Sequence, residues 1–408
     1  MADLTNASTS VQAMHLLVVG HDGSDFVLGR PDLGVFVAVP EPGAVFVNAV
    51  KSGASLEEAT ERATEVAGEV VDGLDFVKSL ANAGLLDAPA ATGPGAGRGR
   101  AIPWVDGVRA EVARPFFSRT AHAIYAAATA FVVAVIVLVP ALRPRFQDVW
   151  WVPDPVTSVL LLLPITVALG ALHEAWHWLA GRALGVPATF RVSHRGVFLV
   201  FETDLSQIVV VDRRRRYMAF LAGMAFDVTL LAVILAVRLA DRAGVATLPG
   251  WLGRLLAAIA LGQVFRLVWQ FCAVAQRSDM YAVLANALRC HDLHRATVLT
   301  TKNRMWSLTD EERRELAAIS AHDRRVASWF GVVYLAGTVA MMWFAVAFAL
   351  PGALGLLGWA GANLVHPAVA TWTFWSSAAV AVYVATRWLL PPVLAIRERR
   401  MRKAGVLR

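Results

Sequence analysis

What most limits the fold of this chain is the recurrence of apolar runs too long for a soluble core. They cover residues 121–142, 156–184, 218–239, 252–275, 329–350 and 368–390. At about 1.5 Å per residue, each is long enough to cross a hydrocarbon layer of about 30 Å as an α-helix. Composition agrees, since 57% of the 408 residues are hydrophobic and only 17% are charged. The expected architecture is therefore mainly α, a polytopic membrane helix bundle of about six spans with the lipid bilayer as its partner.

A net charge of +7 would suit a nucleic-acid partner. The basic residues, however, bracket the apolar runs instead of forming one patch interleaved with aromatics, so no nucleic acid is expected. Arg98, Arg100, Arg109, Arg114 and Arg119 precede the first run, Arg213 to Arg216 lie in the second loop, and the tail carries Arg397, Arg399, Arg400, Arg402 and Lys403. The loop expected at residues 351–367 has no Lys or Arg. By the positive-inside rule the chain is multi-pass with both termini cytoplasmic. Only two cysteines occur, Cys272 and Cys290, which supports neither a disulfide framework nor a Cys-type zinc site. The polar first residues do not read as a signal peptide.

Residues 1–88 read as a small α+β domain. Short runs at 15–19, 25–29 and 35–39 predict strands, and two helical patterns follow at 56–70 and 74–86. The first of these starts behind Ser55 with Glu58 three residues on, which is a capping box. Gly, Ala and Pro from residue 88 open a linker over 89–118. A four-span core is expected over 119–300, and a two-span extension with a basic tail over 301–408.

Within the second run stands HEAWH. His173 and His177, at i and i+4, share one helix face and can close on one Zn²⁺ ion, while Glu174 lies about 100° around the helix, where it can take a proton from a metal-bound water. A purely structural trio is the alternative, with the histidines bonded to carbonyls and Glu174 paired to an arginine. Polar groups cost a few kcal/mol each in a spanning helix and persist there mostly for function, which favours the metal. The fourth run ends on the same membrane face as HEAWH and is followed by QRSDMYAVLANAL, so Asp279 can reach the site as a third ligand. Asp227 lies at a depth close to that of His173. It is expected to pair with Arg266 beside the metal, with direct coordination as the alternative. Residues 188–203 alternate in two arms around 193–196 and predict a β-hairpin whose Val197, Phe198, Leu199 and Val200 are candidates for pairing with an extended substrate. A surface hairpin capping the bundle is the competing reading. Cys290, His291 and His294 form a weaker second candidate for a metal.

HEAWH on an apolar helix, a later Asp followed by an aromatic and an apolar helix, and a central AG-containing span together resemble the site-2 protease family of intramembrane zinc metalloproteases. The strands and helices of residues 1–88 similarly resemble PqqD-like winged-helix domains, which bind leader peptides of ribosomally made natural products. The match is closest to the bacterial branch that joins the two, and covers about residues 10–300. The resemblance implies one Zn²⁺ per chain on His173, His177 and Asp279, Glu174 as general base, and residence in the bacterial cytoplasmic membrane. It implies leader removal from a ribosomal precursor peptide captured by the N-terminal domain. Alternatives are a regulatory protease cutting a membrane-anchored anti-sigma or transcription factor, and a non-catalytic peptide-binding export accessory. Two departures stand out: Met280 replaces the Gly usual after the ligand Asp, and AGMAFD replaces the common AGP with Asn, leaving Asp227 at that position.

Overall fold

The computed structural model describes residues 12–22, 25–30, 33, 35–87, 108–186, 188–195, 198–365 and 368–403. These residues are mostly helical, and they fall into two compact units.

The first unit runs through Ala113 and also takes in Ala180–Thr189 and Asp204–Ala219. Its sheet is an antiparallel meander of β1 (Val18–Asp22), β2 (Asp25–Arg30) and β3 (Val35–Val39). The strand expected from residue 15 begins three residues later, because the N–H groups of Leu16 and Leu17 bond back to the Ala13 and Met14 carbonyls in a helical turn. Three helices follow: α1 (Glu41–Lys51), α2 (Leu56–Ala67) and α3 (Gly73–Asn82). The sequence reading missed α1, whose VFVNAV alternates like a strand while Pro42-Gly43 reads as a turn. Pro in the first turn instead starts it, and Phe46, Val47 and Val50 bury at helical spacing against Met14, Leu17 and Leu28. The capping box of α2 is made in both directions, Ser55 Oγ accepting from Glu58 N and Glu58 Oε2 from Ser55 N, each at 3.1 Å. Gly68, at φ 69°, ends the helix in the left-handed conformation. Arg30 is fully buried and donates to the Leu85 carbonyl, tying the sheet to the end of the domain. Residues Ser206–Val210 form a 3₁₀ turn against the sheet, so close at Gly20 that a Cβ there would lie 2.5 Å from the Val210 backbone.

Among the described residues of the whole chain, five helical segments are long and apolar enough to cross a membrane. They are α4 (Arg119–Leu138), α5 (Pro155–Ala183), α7 (Ala222–Arg242), α8 (Gly250–Cys272) and a continuous stretch over Ala321–Val365, with α6 (Arg213–Phe220) leading into α7. The helix α7 is the central one: Leu231 and Leu235 are fully buried and meet Val132 and Val135 of α4 and Ala260 of α8. Outward-facing Val133, Val137, Val233, Phe265 and Val268 stay exposed, an apolar rim suited to lipid.

One expectation about the C-terminal part is corrected. The loop read at 351–367 is largely helical: α12 (Ala321–Phe344) passes through a π turn at Ala345–Ala349 into α13 (Leu350–Val365). Pro351 is accommodated there because the π turn shifts the bonding to i→i+5, Leu350 N donating to Ala345 O, just where the proline's missing N–H would interrupt an α-helix. The sixth run lies in α14 (Trp372–Lys403), which continues into the basic RERRMRK sequence. Between the fourth and fifth segments come three short helices, α9 (Asp279–Ala287), α10 (Leu293–Met305) and α11 (Asp310–Ala318). Lys302 donates to Glu312, a bond that with the Thr309 cap holds the Glu312 carboxyl down at about 2. Strands β4 (Thr189–Arg195) and β5 (Phe198–Asp204) form the two-stranded hairpin expected after α5.

Candidate metal centre

Helical spacing alone brings the HEAWH imidazoles together. His173 and His177 sit one turn apart on α5, both buried, with their Nε2 atoms 3.3 Å apart. The third group comes from 102 residues further along. At the end of α8 the chain passes through Arg277 in the left-handed region, φ 59°, and Ser278 then begins α9 with Asp279 as its first residue. Two bonds from Gln270 and Ser278 fix that turn, Asp279 N donating to Gln270 Oε1 at 2.9 Å and Ser278 Oγ to the Gln270 carbonyl at 2.7 Å. Asp279 Oδ2 thereby lies 3.0 Å from His173 Nε2 and 3.2 Å from His177 Nε2. Met280, where the resemblance would have Gly, sits inside the first turn of α9 and does not disturb this approach.

The geometry and the donor chemistry both suit a metal ion. Bonds of about 2.0–2.1 Å to a tetrahedral zinc give ligand–ligand edges of about 3.3 Å. The three atoms are spaced at 3.0–3.3 Å. Asp227, fully buried on α7, accepts from His173 Nδ1 at 2.7 Å, which puts the ring proton on Nδ1 and leaves the Nε2 lone pair facing Asp279. Two lone pairs at 3.0 Å repel unless a cation, either a metal or a proton, lies with them.

Asp227 is on the ring side away from the cluster, and so orients His173 instead of sharing the ligand position. Its other oxygen, Oδ1, accepts from Gln263 Nε2 at 3.3 Å and lies 3.7 Å from Arg266 Nε, an ion pair without a hydrogen bond. Arg266 also reaches the Thr166 carbonyl. If the cluster holds zinc, losing the charge in Asp227→Asn should weaken that affinity about 10–100-fold while leaving the site able to fill, as read by chelator competition. An unchanged affinity would remove Asp227 from this role.

Glu174 points toward the hairpin. Its Oε2 accepts from Thr203 N at 2.9 Å, and its own backbone carbonyl accepts from Thr203 Oγ1 at 2.8 Å. His173, Glu174 and His177 offer ligand atoms within 4.8 Å of one another, so the carboxylate stands beside the ligand cluster. Phe198, Leu199 and Val200 are on β5, the strand that ends with this clamp, whereas Val197 lies outside the described residues.

Two contributors went unread in the sequence. Thr203 is one. The other is Gly223, the glycine of AGMAFD, where a Cβ would fall 2.4 Å from Nε2 of both histidines. The α7 backbone can approach the two rings only because no side chain stands there. The pattern of a small residue four positions before a buried Asp was visible, but not what it faced.

The fold and site together describe a mostly helical chain with membrane-length helices and two buried histidines meeting a partly buried Asp beside a glutamate. No protein-family model, curated protein or solved structure matches this chain.

Proposed function

We propose that the chain is an intramembrane zinc endopeptidase of the site-2 protease type, with His173, His177 and Asp279 as ligands of one zinc and Glu174 as general base. The observation that carries the reading is the near-tetrahedral spacing of three ligand atoms next to a carboxylate, on helices of membrane length. A zinc ion held there supplies Lewis-acid activation of a water and of the scissile carbonyl. Glu174 takes the proton of that water and delivers it to the departing amine, so no acyl-enzyme forms. Asp227 keeps His173 in the tautomer that presents Nε2. Thr203 restrains the base through two hydrogen bonds. An unwound substrate added along Phe198, Leu199 and Val200 would run toward Thr203 and so toward Glu174.

The reading takes both termini as cytoplasmic in a bacterial plasma membrane, on the arginine placement in the sequence. The N-terminal unit is then available to a cytoplasmic peptide, and the substrate favoured is a ribosomally made precursor whose leader that unit captures and whose leader bond the membrane site cuts. The test is co-production of the chain with a short precursor encoded beside it, followed by mass spectrometry of the peptide. Leader removal that requires the chain supports the reading. An intact precursor, with cleavage instead of an anti-sigma factor encoded nearby, would move the enzyme to the regulatory class.

A further inference from the structure

A second cluster of ligand side chains lies well along the chain from HEAWH. Cys290, His322 and Asp323 bring one ligand atom each within 4.8 Å of one another. The grouping differs from the one read in the sequence, Cys290 with His291 and His294. His294 lies against Tyr281 and Tyr334 instead, with ring centroids 6.3 and 5.8 Å away, and His291 contributes its backbone N–H.

Local chemistry prepares two of the three side chains for a cation. Asp323 is only 3% exposed. Its Oδ2 accepts from the backbone N–H groups of His291 and Asp292 at 3.1 and 3.0 Å, but its buried Oδ1 makes no hydrogen bond. A buried carboxylate oxygen without a donor is costly, and a cation removes that cost. His322 Nε2 lies 2.8 Å from the Leu288 carbonyl. A carbonyl only accepts, so Nε2 carries the proton and Nδ1 keeps its lone pair, the arrangement that metal-bound histidines adopt. Cys290 is aimed by the turn before it, where Arg289 takes the left-handed conformation at φ 58° and Cys290 N bonds to Ala285 O at 3.0 Å.

We infer that Cys290, His322 and Asp323 form a second metal site, selective for zinc or a similar borderline divalent ion. Thiolate, imidazole and carboxylate together match such an ion in softness, and their two negative charges balance its two positive ones. Closing from separations of no more than 4.8 Å to edges of about 3.3–3.8 Å takes shifts of about 1 Å or less per atom. The exposed His322 ring has room for such a shift. The ion would join the turn after α9 to the first turn of α12, bracing from its far end the helix whose first residue is Asp279. The inference does not depend on the protease reading.

The experiment loads the metal-stripped full-length protein with Co²⁺ in detergent and records the near-ultraviolet spectrum. Only a thiolate ligand gives the sulfur-to-cobalt charge-transfer band, and the HEAWH cluster has no sulfur. The band should appear in the wild type, persist in His173→Ala and in Cys272→Ser, and vanish in Cys290→Ser. Its absence from the wild type, or its survival in Cys290→Ser, overturns the site. Should Cys290→Ser not fold, His322→Gln decides. Cobalt affinity weakened at least about tenfold, read from the band, supports the site, and unchanged affinity rejects it.

Discussion

Glu174→Gln should keep its zinc and lose about 10²–10⁴-fold in turnover. The glutamine oxygen can still accept from Thr203 N, now 2.9 Å from Glu174 Oε2, so the side chain keeps its place. What it cannot do is hold a proton between water and leaving amine. The proposed ligands His173, His177 and Asp279 are untouched, so metal content and chemistry separate cleanly in this variant. Cleavage within a few-fold of wild type would take the base role away from Glu174. Metal lost along with activity would mean that Glu174 holds the site together and is not simply a proton carrier.

The second large effect comes from one methyl group. Gly223→Ala puts a Cβ about where the structure leaves 2.4 Å to the Nε2 atoms of His173 and His177. That is far inside van der Waals contact, and the atoms it meets are the nitrogens proposed to bind the metal. Either the rings turn away or α7 backs off, and both break the ligand spacing. Zinc affinity at this site should fall at least about 100-fold. The helix itself should not suffer, because Ala is favoured over Gly in a helix interior by about 0.5–1 kcal/mol. Lost zinc affinity, with the metal-free protein destabilised by no more than about 1–3 kcal/mol, the cost of an overpacked methyl group, is the expected pair of results; retained zinc would show that the approach of α7 does not limit the site.

Much of this was legible from residue patterns because it depends on local rules. Apolar length marked the helices that became α4, α5, α7 and α8, and Ser55 with Glu58 marked the start of α2. HEAWH carried its own geometry, since i and i+4 on a helix fix two imidazoles. Tertiary choices were harder to read. The helix α1 was hidden by β-branched and aromatic residues whose burial against the sheet outweighed their strand preference. The bend that proline promised at 351 was absorbed by a π turn. Thr203, Gly223 and the Cys290, His322 and Asp323 cluster act across 29 to 50 residues of chain, distances over which a single sequence holds no periodic signal.

The central claim is that His173, His177 and Asp279 hold one metal ion with Asp227 behind them. Zinc per purified chain tests it most directly, measured on a Cys290→Ser background so that only the HEAWH centre is counted. The account predicts about one zinc in that background, none after adding His173→Ala or Asp279→Ala, and zinc retained with weaker affinity after adding Asp227→Asn. Zinc that survives Asp279→Ala but disappears with Asp227→Asn would contradict it, making Asp227 the ligand; no zinc in the parent would leave HEAWH without a metal.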